Sequence, residues 1–193
     1  MMKMDCLLAG VGGQGTVLAS KIIAQTAINS GAYVRTSETI GMAQRGGSVV
    51  SHVRIGAEAA SPAIPLAAAD LLIGFEPAEA ARNLRFLRPG GSMLVSVNPI
   101  VPFTASLDGG AYDLEAILAY LKDTDGQVHF IDGNSLCDEA GSAKVLNVVM
   151  LGAALRLGLL PFTFADILAT MEEFLPARIL PINTRALEIG YSR

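Results

Sequence analysis

A glycine-rich loop is the part of the sequence whose residue types and spacing could bind a ligand. The segment Gly10-Val-Gly-Gly-Gln-Gly15 has the spacing G-x-G-x-x-G, follows an apolar run and precedes a helical pattern. Glycines here let the chain turn sharply and let another group approach the backbone closely. The unpaired amides of the following helix attract anions. The alternatives are a plain turn and a contact with a phosphate-bearing ligand or protein partner, made by Gly10, Gly12, Gly13, Gln14, Gly15 and Thr16.

A dinucleotide site also needs an acidic residue at the end of the second strand, where it binds the ribose. The residues at that place are Arg35, Thr36 and Ser37, and Glu38 lies beyond the predicted strand. Arg35 with the neighbouring hydroxyls would suit a 2′-phosphate, which leaves NADP open. The pattern favours the simpler interpretation that Arg35 is a solvated residue at the end of a strand.

The other chemically capable side chains do not form a recognisable catalytic set. His52 alternates with Arg54 on the polar face of a strand, which predicts a surface or interface residue. Cys137 is predicted to lie in a loop, where a reactive thiol is conceivable although nothing nearby would lower its pKa. Glu76 and Asp132 each end a strand and would either cap a helix or touch a ligand. We therefore predict no catalytic residue and no metal site in this chain.

Composition narrows the class of protein. The chain has 193 residues, of which 51% are hydrophobic and 17% charged, so extended disorder is excluded. The net charge is −4 and no cluster of Lys and Arg appears, which argues against nucleic-acid binding. The two cysteines are too few for a four-cysteine iron–sulfur cluster or a cysteine-rich zinc site. With no recognisable signal peptide, they favour a reducing cytoplasm.

The mean hydropathy of +0.46 is high and requires an explanation. The longest apolar stretch, Leu146–Leu160, contains Asn147 and Arg156 and is shorter than the roughly 20 residues that a membrane span needs. We therefore predict no membrane span. The excess apolar surface must be buried in the core or against another protein.

Hydrophobic periodicity predicts alternating strands and helices. The predicted strands are Met4–Ala9, Ala32–Thr36, Ser48–Ile55, Asp70–Phe75, Ser92–Val97 and Val128–Ile131. The predicted helices are Thr16–Ser30, Pro77–Leu87, Asp113–Leu121, Ser142–Leu160 and Phe164–Phe174, followed by a tail that holds one more helical turn. This order predicts a single α/β domain, residues 1–193, with a Rossmann-like, open, mostly parallel sheet, helices on both faces and a helical C-terminus. The alternating pattern of Ser48–Ile55 predicts a half-exposed edge strand or a hairpin after the second strand.

Two segments together resemble a known family. One is Gly10-Val-Gly-Gly-Gln-Gly-Thr16, and the other is Ser37-Glu-Thr-Ile-Gly-Met-Ala-Gln-Arg-Gly-Gly-Ser-Val49, which continues to Arg54. This pairing is similar to the gamma-type subunits of the 2-oxoacid:ferredoxin oxidoreductases, also called pyruvate/ketoisovalerate oxidoreductases. The second segment most resembles the beta subunits of indolepyruvate ferredoxin oxidoreductases. The resemblance covers nearly the whole chain in length and element order, although the C-terminal helices add little to it.

The resemblance implies a function that this chain performs only within a complex. Such enzymes of anaerobic metabolism oxidatively decarboxylate a 2-oxoacid, attach the acyl group to coenzyme A and pass electrons to ferredoxin. Thiamine diphosphate and iron–sulfur clusters carry out this chemistry. In the family both are held mainly by a large catalytic subunit, so this chain is expected to bind neither firmly and to be inactive alone. A homodimer of the isolated chain stays open.

The resemblance also indicates a site. Gly12, Gly13, Gln14 and Gly15 would form one surface with Arg45, Gly46 and Gly47, facing the cofactor region of the catalytic subunit or the path of coenzyme A. Arg45 would pair with a phosphate or a partner carboxylate. The alternative is that residues 44–47 are only a hairpin turn. Two other functions remain open, namely a free-standing NADP-binding oxidoreductase and a non-catalytic assembly module.

Overall fold

A computed structural model of the chain describes residues 2–41, 46–56, 61–101 and 112–193. Within these residues the strands form one mixed sheet in the order β2-β3-β1-β4-β5-β6. β1 pairs in parallel with β4, β4 with β5, and β5 with β6, whereas β3 is antiparallel to both β1 and β2. The strands are β1 (Met4–Val11), β2 (Val34–Ile40), β3 (Ser48–Ile55), β4 (Ala69–Gly74), β5 (Leu87–Ser96) and β6 (Gln127–Ile131).

Helices cover both faces of this sheet. Leu8 and Ile73 face one buried cluster, and Leu7 and Leu72 face the other, because successive side chains of a strand point to opposite faces. The predicted Rossmann-like sheet with helices on both faces and a helical C-terminus is confirmed. The helices are α1 (Thr16–Asn29), α2 (Pro77–Asn83), α3 (Leu114–Lys122), α4 (Gly133–Ala140), α5 (Leu146–Arg156), α6 (Phe164–Phe174) and α7 (Leu180–Ser192).

Local sequence signals account for several helix ends. The side chains of Asp113 and Asp132 accept hydrogen bonds from the first-turn amides of α3 and α4, and Pro77 occupies the first turn of α2. Gly31 follows α1 with φ +79°, and the amide of the next residue donates to the Ala27 carbonyl at 2.9 Å. This is the glycine cap that the sequence predicts.

The region after α1 differs from the prediction. β2 begins two residues later than expected and extends to Ile40, four residues beyond the predicted end at Thr36. β3 inserts between β1 and β2, so these two strands are not neighbours, and the hairpin alternative is confirmed because β2 and β3 pair antiparallel. β3 itself is not half-exposed, since Ser51 and His52 are both buried between flanking strands. The outermost described strand on this side is β2.

The C-terminal half of the chain also differs from the prediction. α4 was expected to be a loop, but Asp132 caps it and Gly141, with φ +92°, ends it. The helix predicted over Ser142–Leu160 is shorter, because a 3₁₀ turn precedes α5 and Gly158, with φ +67°, follows it. The tail predicted to hold one helical turn forms α7, which has 13 residues. Among the described residues, every helix falls short of the length or apolar content that a membrane span requires.

Candidate functional site

The glycine loop connects the carboxyl end of β1 to α1, beside the carboxyl end of β4. Gln14 fixes its shape, because Oε1 accepts from the Val11 amide and Nε2 donates to the Phe75 carbonyl, both at 2.8 Å. A Cβ on Gly10 would lie 2.8 Å from Gln14 Oε1 and 2.9 Å from Thr16 Oγ1. Gly10 is therefore needed for this clamp. Gln14, which we predicted to face a ligand or partner, uses both polar atoms of its amide to tie the loop to the end of β4.

The amino end of α1 has no side-chain cap. Gly15 adopts the left-handed conformation with φ +77° and ψ +21°, and the first turn of the helix holds no acidic residue. The first intrahelical bond runs from the Ala19 amide to the Gly15 carbonyl, at 3.0 Å. The amides of residues 16–18 therefore precede the helical ladder, at the positive end of the helix dipole.

A cavity of about 470 Å³ lies against this end of α1. Gly12, Gly13, Gly15 and Thr16 line it together with apolar side chains and the exposed Lys21. Phe174, a residue that is 44% exposed, lies in α6 and also lines the cavity. Backbone amides and one ammonium suit an anionic group, and the apolar walls suit a hydrophobic neighbour.

The structure brings the two predicted segments together. The Gly12 amide donates to the Gly47 carbonyl at 2.8 Å, and the Gly46 amide donates to the Gly12 carbonyl at 3.4 Å. The group that approaches Gly12 is therefore the backbone of the β2–β3 hairpin. Gly46 has φ +72°, which glycine adopts without strain. Gln44 and Arg45 lie outside the described residues, so the place of the Arg45 side chain stays a prediction.

Two buried carboxylates stand beside this pair of segments. Glu76 caps α2 by accepting from the Glu79 amide at 2.8 Å, and it also accepts from the Tyr112 hydroxyl. Burial and this carboxylate raise the pKa of Tyr112. Glu79 accepts from the Ser48 hydroxyl at 2.6 Å and pairs with Arg82. The capping role of Glu76 was one of two sequence expectations, whereas the Ser48–Glu79 contact joins residues 31 positions apart and has no local sequence signal.

Asn147 is a further residue that sequence reasoning missed. It is buried at the start of α5, and a Cβ on Gly15 would lie 2.8 Å from its Cγ. Its Oδ1 and the Thr16 Oγ1 have no hydrogen-bond partner within the part of the chain that the structure describes. The sequence signal for Asn147 was weak, because one side-chain amide among the apolar residues of a predicted helix only interrupts the apolar pattern.

Arg35 lies at the other end of the sheet. It is level with Arg54 on β3 and Asp5 on β1, six positions before Val11. At about 3.3 Å per residue this places it about 20 Å from the glycine loop along the strands. Its guanidinium lies over the Tyr33 ring at 5.3 Å. An NADP site of this type would require Arg35 to lie near the glycine loop, and the structure does not place it there.

The predicted position of Cys137 is wrong. It lies in α4 rather than in a loop, and it is buried. Burial raises the pKa of its thiol to about 11, with a smaller effect from Asp138. A thiol in this environment is protonated and inert at neutral pH.

His52 is buried, not a surface residue. Its Nδ1 accepts from the Ile64 amide at 3.2 Å, and its ring meets the Phe86 ring edge-on with centroids 5.4 Å apart. Burial lowers the pKa of His52, and the charge of Arg54 lowers it further. The folded protein therefore holds a neutral imidazole at this position.

This histidine predicts a pH-dependent stability. In the unfolded chain His52 binds a proton near its ordinary pKa of 6.5, whereas the folded state resists that proton. The free energy of unfolding should therefore be largest above that value and fall as the pH is lowered through it. Urea unfolding of the full chain between about pH 7.5 and 5, an interval that contains the ordinary value, measures this.

The variant His52→Gln removes the titrating group and should flatten this part of the profile. Asp132 and Asp166 have pKa values lowered by hydrogen bonds at helix ends, from an ordinary value of 3.8, so their contributions are lost at lower pH. Equal slopes for the wild type and His52→Gln above pH 5 would contradict the prediction.

A second cavity, of about 520 Å³, lies beside β6 at the opposite edge of the sheet. His129, Asp132 and Arg193 line it with apolar residues of α4 and α5. Asp132 Oδ1 accepts from Ser135 N and Asn98 Nδ2, so this carboxylate serves as a helix cap. None of the glycine-loop residues lines this cavity, although it is the larger of the two.

The sequence matches a known protein family along nearly its whole length. The family model described as pyruvate ferredoxin/flavodoxin oxidoreductase matches residues 5–193. Indolepyruvate oxidoreductase subunit IorB of Archaeoglobus fulgidus is 35% identical over 193 residues, which span 100% of this chain and 96% of that protein. The IorB subunit of Methanothermobacter thermautotrophicus is 35% identical over 191 residues, or 98% of this chain and 97% of that protein.

Solved structures share the fold. Pyruvate oxidoreductase subunit PORC of Thermotoga maritima superposes with a TM-score of 0.74 at 23% identity, covering 100% of this chain and 97% of that one. A 2-oxoglutarate:ferredoxin oxidoreductase of Magnetococcus marinus, solved with 2-oxoglutarate, coenzyme A and succinyl-CoA, superposes with a TM-score of 0.72 at 20% identity. All of this chain corresponds to 31% of that larger one.

Proposed function

Because the chain belongs to the pyruvate ferredoxin/flavodoxin oxidoreductase family, we propose that it is the gamma-type subunit of a 2-oxoacid:ferredoxin oxidoreductase. The substrate we propose is indolepyruvate or a related 2-oxoacid. The observation that carries the proposal is the identity of 35% to IorB subunits over essentially the full length of both chains. The reaction releases carbon dioxide, transfers the acyl group to coenzyme A and delivers electrons to ferredoxin.

The redox centres belong to a larger partner subunit in this proposal. Thiamine diphosphate would stabilise the carbanion and iron–sulfur clusters would carry the electrons. The chain has two cysteines, both free thiols buried in the fold, and the described residues contain no group of acidic, His or Cys side chains that could hold a metal. Free cysteines fit a reducing compartment, so we place the complex in the cytoplasm.

The contribution of this chain is a partner-facing surface at the glycine loop. We define the glycine surface as Gly12, Gly13, Gly15, Thr16, Gly46 and Gly47. Its support is the pairing of Gly12 with Gly47, the uncapped start of α1 and the cavity bearing Lys21 and Phe174. We propose that it faces the cofactor region of the catalytic subunit or the path of coenzyme A, where the amides would meet phosphate or carboxylate oxygens.

The test is anaerobic purification of the tagged chain from its native cells. A large co-purifying subunit, bound thiamine and iron, and viologen reduction dependent on a 2-oxoacid and coenzyme A are the expected result. Indolepyruvate should be among the most active substrates. A chain that comes out alone, colourless and inactive would overturn the proposal, and titration with NADPH would then test nucleotide binding.

Arg45→Ala in the assembled complex tests the proposed role of this side chain. Loss of an arginine that pairs with an anion should raise the Michaelis constant for coenzyme A or the 2-oxoacid by about ten-fold or more, as for a charged hydrogen bond. Arg35→Ala is the matched control, because that exposed arginine lies at the other end of the sheet.

Two results of this experiment separate the remaining functions. Unchanged Michaelis constants with normal assembly would contradict any role for Arg45 in binding coenzyme A or the 2-oxoacid. A lower yield of assembled complex with unchanged Michaelis constants would favour the assembly module. The backbone pairing at Gly12 supports that second candidate, since it engages the hairpin rather than leaving Gly12 open.

A further inference from the structure

We propose that Glu79 is a positioning residue of the glycine surface, acting through the Ser48 hydroxyl. It would hold the Gly46-Gly47 turn at the distance from Gly12 that makes the two segments one surface. This inference rests on the proposed function, because it identifies what shapes the surface that meets the partner.

The contact is short, buried and directly next to the turn. Glu79 is only 3% exposed, and its Oε2 accepts from Ser48 Oγ at 2.6 Å. Ser48 is the first residue of β3 and follows Gly47, whose carbonyl accepts from the Gly12 amide at 2.8 Å. A carboxylate acceptor makes this bond about twice as strong as one between neutral groups. The line of contacts therefore runs from α2 through the hairpin to the glycine loop.

Helix capping does not explain Glu79. The cap of α2 is Glu76, whose carboxylate accepts from the backbone amide of Glu79. The Glu79 side chain instead turns to Ser48 and to Arg82, which supplies the positive charge that a buried carboxylate needs. Glu79 lies in the first turn of α2, where the helix dipole also favours a carboxylate, and the Ser48 contact joins this side chain to the hairpin.

Both halves of the surface are fixed to the same short stretch of chain. Gln14 Nε2 donates to the Phe75 carbonyl and so ties the glycine loop to the residue before Glu76. Glu79 ties the other half to the first turn of α2. The junction of β4 and α2 thus contacts both segments, next to the β1–β3 ladder that joins them directly. A rigid reference of this kind is what keeps a binding surface preorganised.

The experiment compares Ser48→Ala and Ser48→Thr in the full chain and in the complex with the catalytic subunit. In the full chain, Ser48→Ala should speed hydrogen exchange of the Gly12 amide by about ten-fold and lower Tm by about 3–6 °C. In the complex it should raise the Michaelis constant for coenzyme A or the Kd for the partner by about ten-fold, with kcat within about two-fold. Ser48→Thr keeps a hydroxyl and should stay close to wild type. Ser192→Ala, which removes a hydroxyl from α7, is the matched control.

Glu79→Gln gives an independent readout. It keeps an acceptor but loses the charge, so it should speed exchange of the Gly12 amide less than Ser48→Ala does. In the double variant this exchange should be no faster than in Ser48→Ala alone. Additive effects, or a Gly12 amide that exchanges at the wild-type rate in Ser48→Ala, would overturn the proposal. Faster exchange with unchanged partner affinity and Michaelis constants would overturn the role in the surface. Failure of the proposed function would instead show as an inactive wild-type complex, and Gly12 exchange would still report on Glu79.

Discussion

Gly15→Ala is expected to lower the free energy of unfolding by about 3 kcal/mol, which corresponds to a Tm lower by about 10 °C for a chain of this size. Two costs combine. Gly15 has φ +77°, where an alanine is strained by about 1–2 kcal/mol. Its new Cβ would also lie 2.8 Å from both Cγ and Nδ2 of the buried Asn147, which is overpacking. Thermal and urea unfolding of the full chain measure the loss.

Gly31→Ala separates the two costs. Gly31 has φ +79°, almost the same as Gly15, but a Cβ there would meet nothing within 4 Å. It should therefore lose only the strain of about 1–2 kcal/mol. Adding Asn147→Ala to Gly15→Ala should recover most of the difference, because the two residues share one contact. Equal losses for the two glycines would contradict a role for Asn147.

This contact gives the C-terminal half of the chain a part in the site. Asn147 is the second residue of α5, while Gly15 is the last residue of the glycine loop and precedes the first residue of α1. α5 therefore contacts the end of the loop at Gly15, and the β4–α2 junction contacts the loop through Gln14. The site therefore depends on a helix that lies outside the two segments from which the family resemblance was inferred.

Local patterns were enough to predict most of the elements. Residues 4–11 are apolar apart from Asp5 and Gly10, glycines follow, and the 3.6-residue period of α1 comes next, so the β1–loop–α1 unit is encoded within about 30 neighbouring positions. Strand order is different, because β3 reaches its place between β1 and β2 through pairings between residues up to 51 positions apart. An alternating pattern of polar and apolar residues does not indicate whether a strand has neighbouring strands on one side or on both. That is why His52 was predicted at the surface although flanking strands bury it.

The site was predictable in outline only. The pairing of the glycine loop with the Gly46-Gly47 turn was expected from the family resemblance, and the structure brings them into contact at Gly12 and Gly47. The residues that hold this arrangement were not expected, because Gln14 contacts Phe75 across 61 positions and Ser48 contacts Glu79 across 31. Such contacts arise from the packing of distant segments and leave no periodic signal in the sequence.

Gly190→Ala is the second substitution with a large expected effect, and two principles predict opposite signs for it. Considered as a helix residue, alanine is better than glycine by about 1 kcal/mol, so α7 should gain stability. Considered in the fold, a Cβ at Gly190 would lie 2.1 Å from the Val149 carbonyl oxygen of α5, and one at Gly152 would lie 2.4 Å from the Leu187 carbonyl oxygen. The obstacles are backbone atoms, which no rotamer change can move.

The packing effect should win, because α5 and α7 would have to separate along their contact. We expect Gly190→Ala to lower the free energy of unfolding by about 3 kcal/mol net, at the upper end of the overpacking range. Glu188→Ala, on the exposed side of α7, is the control and should change stability by less than about 0.5 kcal/mol. Urea unfolding of both variants decides between the signs. A Gly190→Ala chain as stable as the wild type would mean that helix propensity, not the close approach of α5 and α7, determines this position.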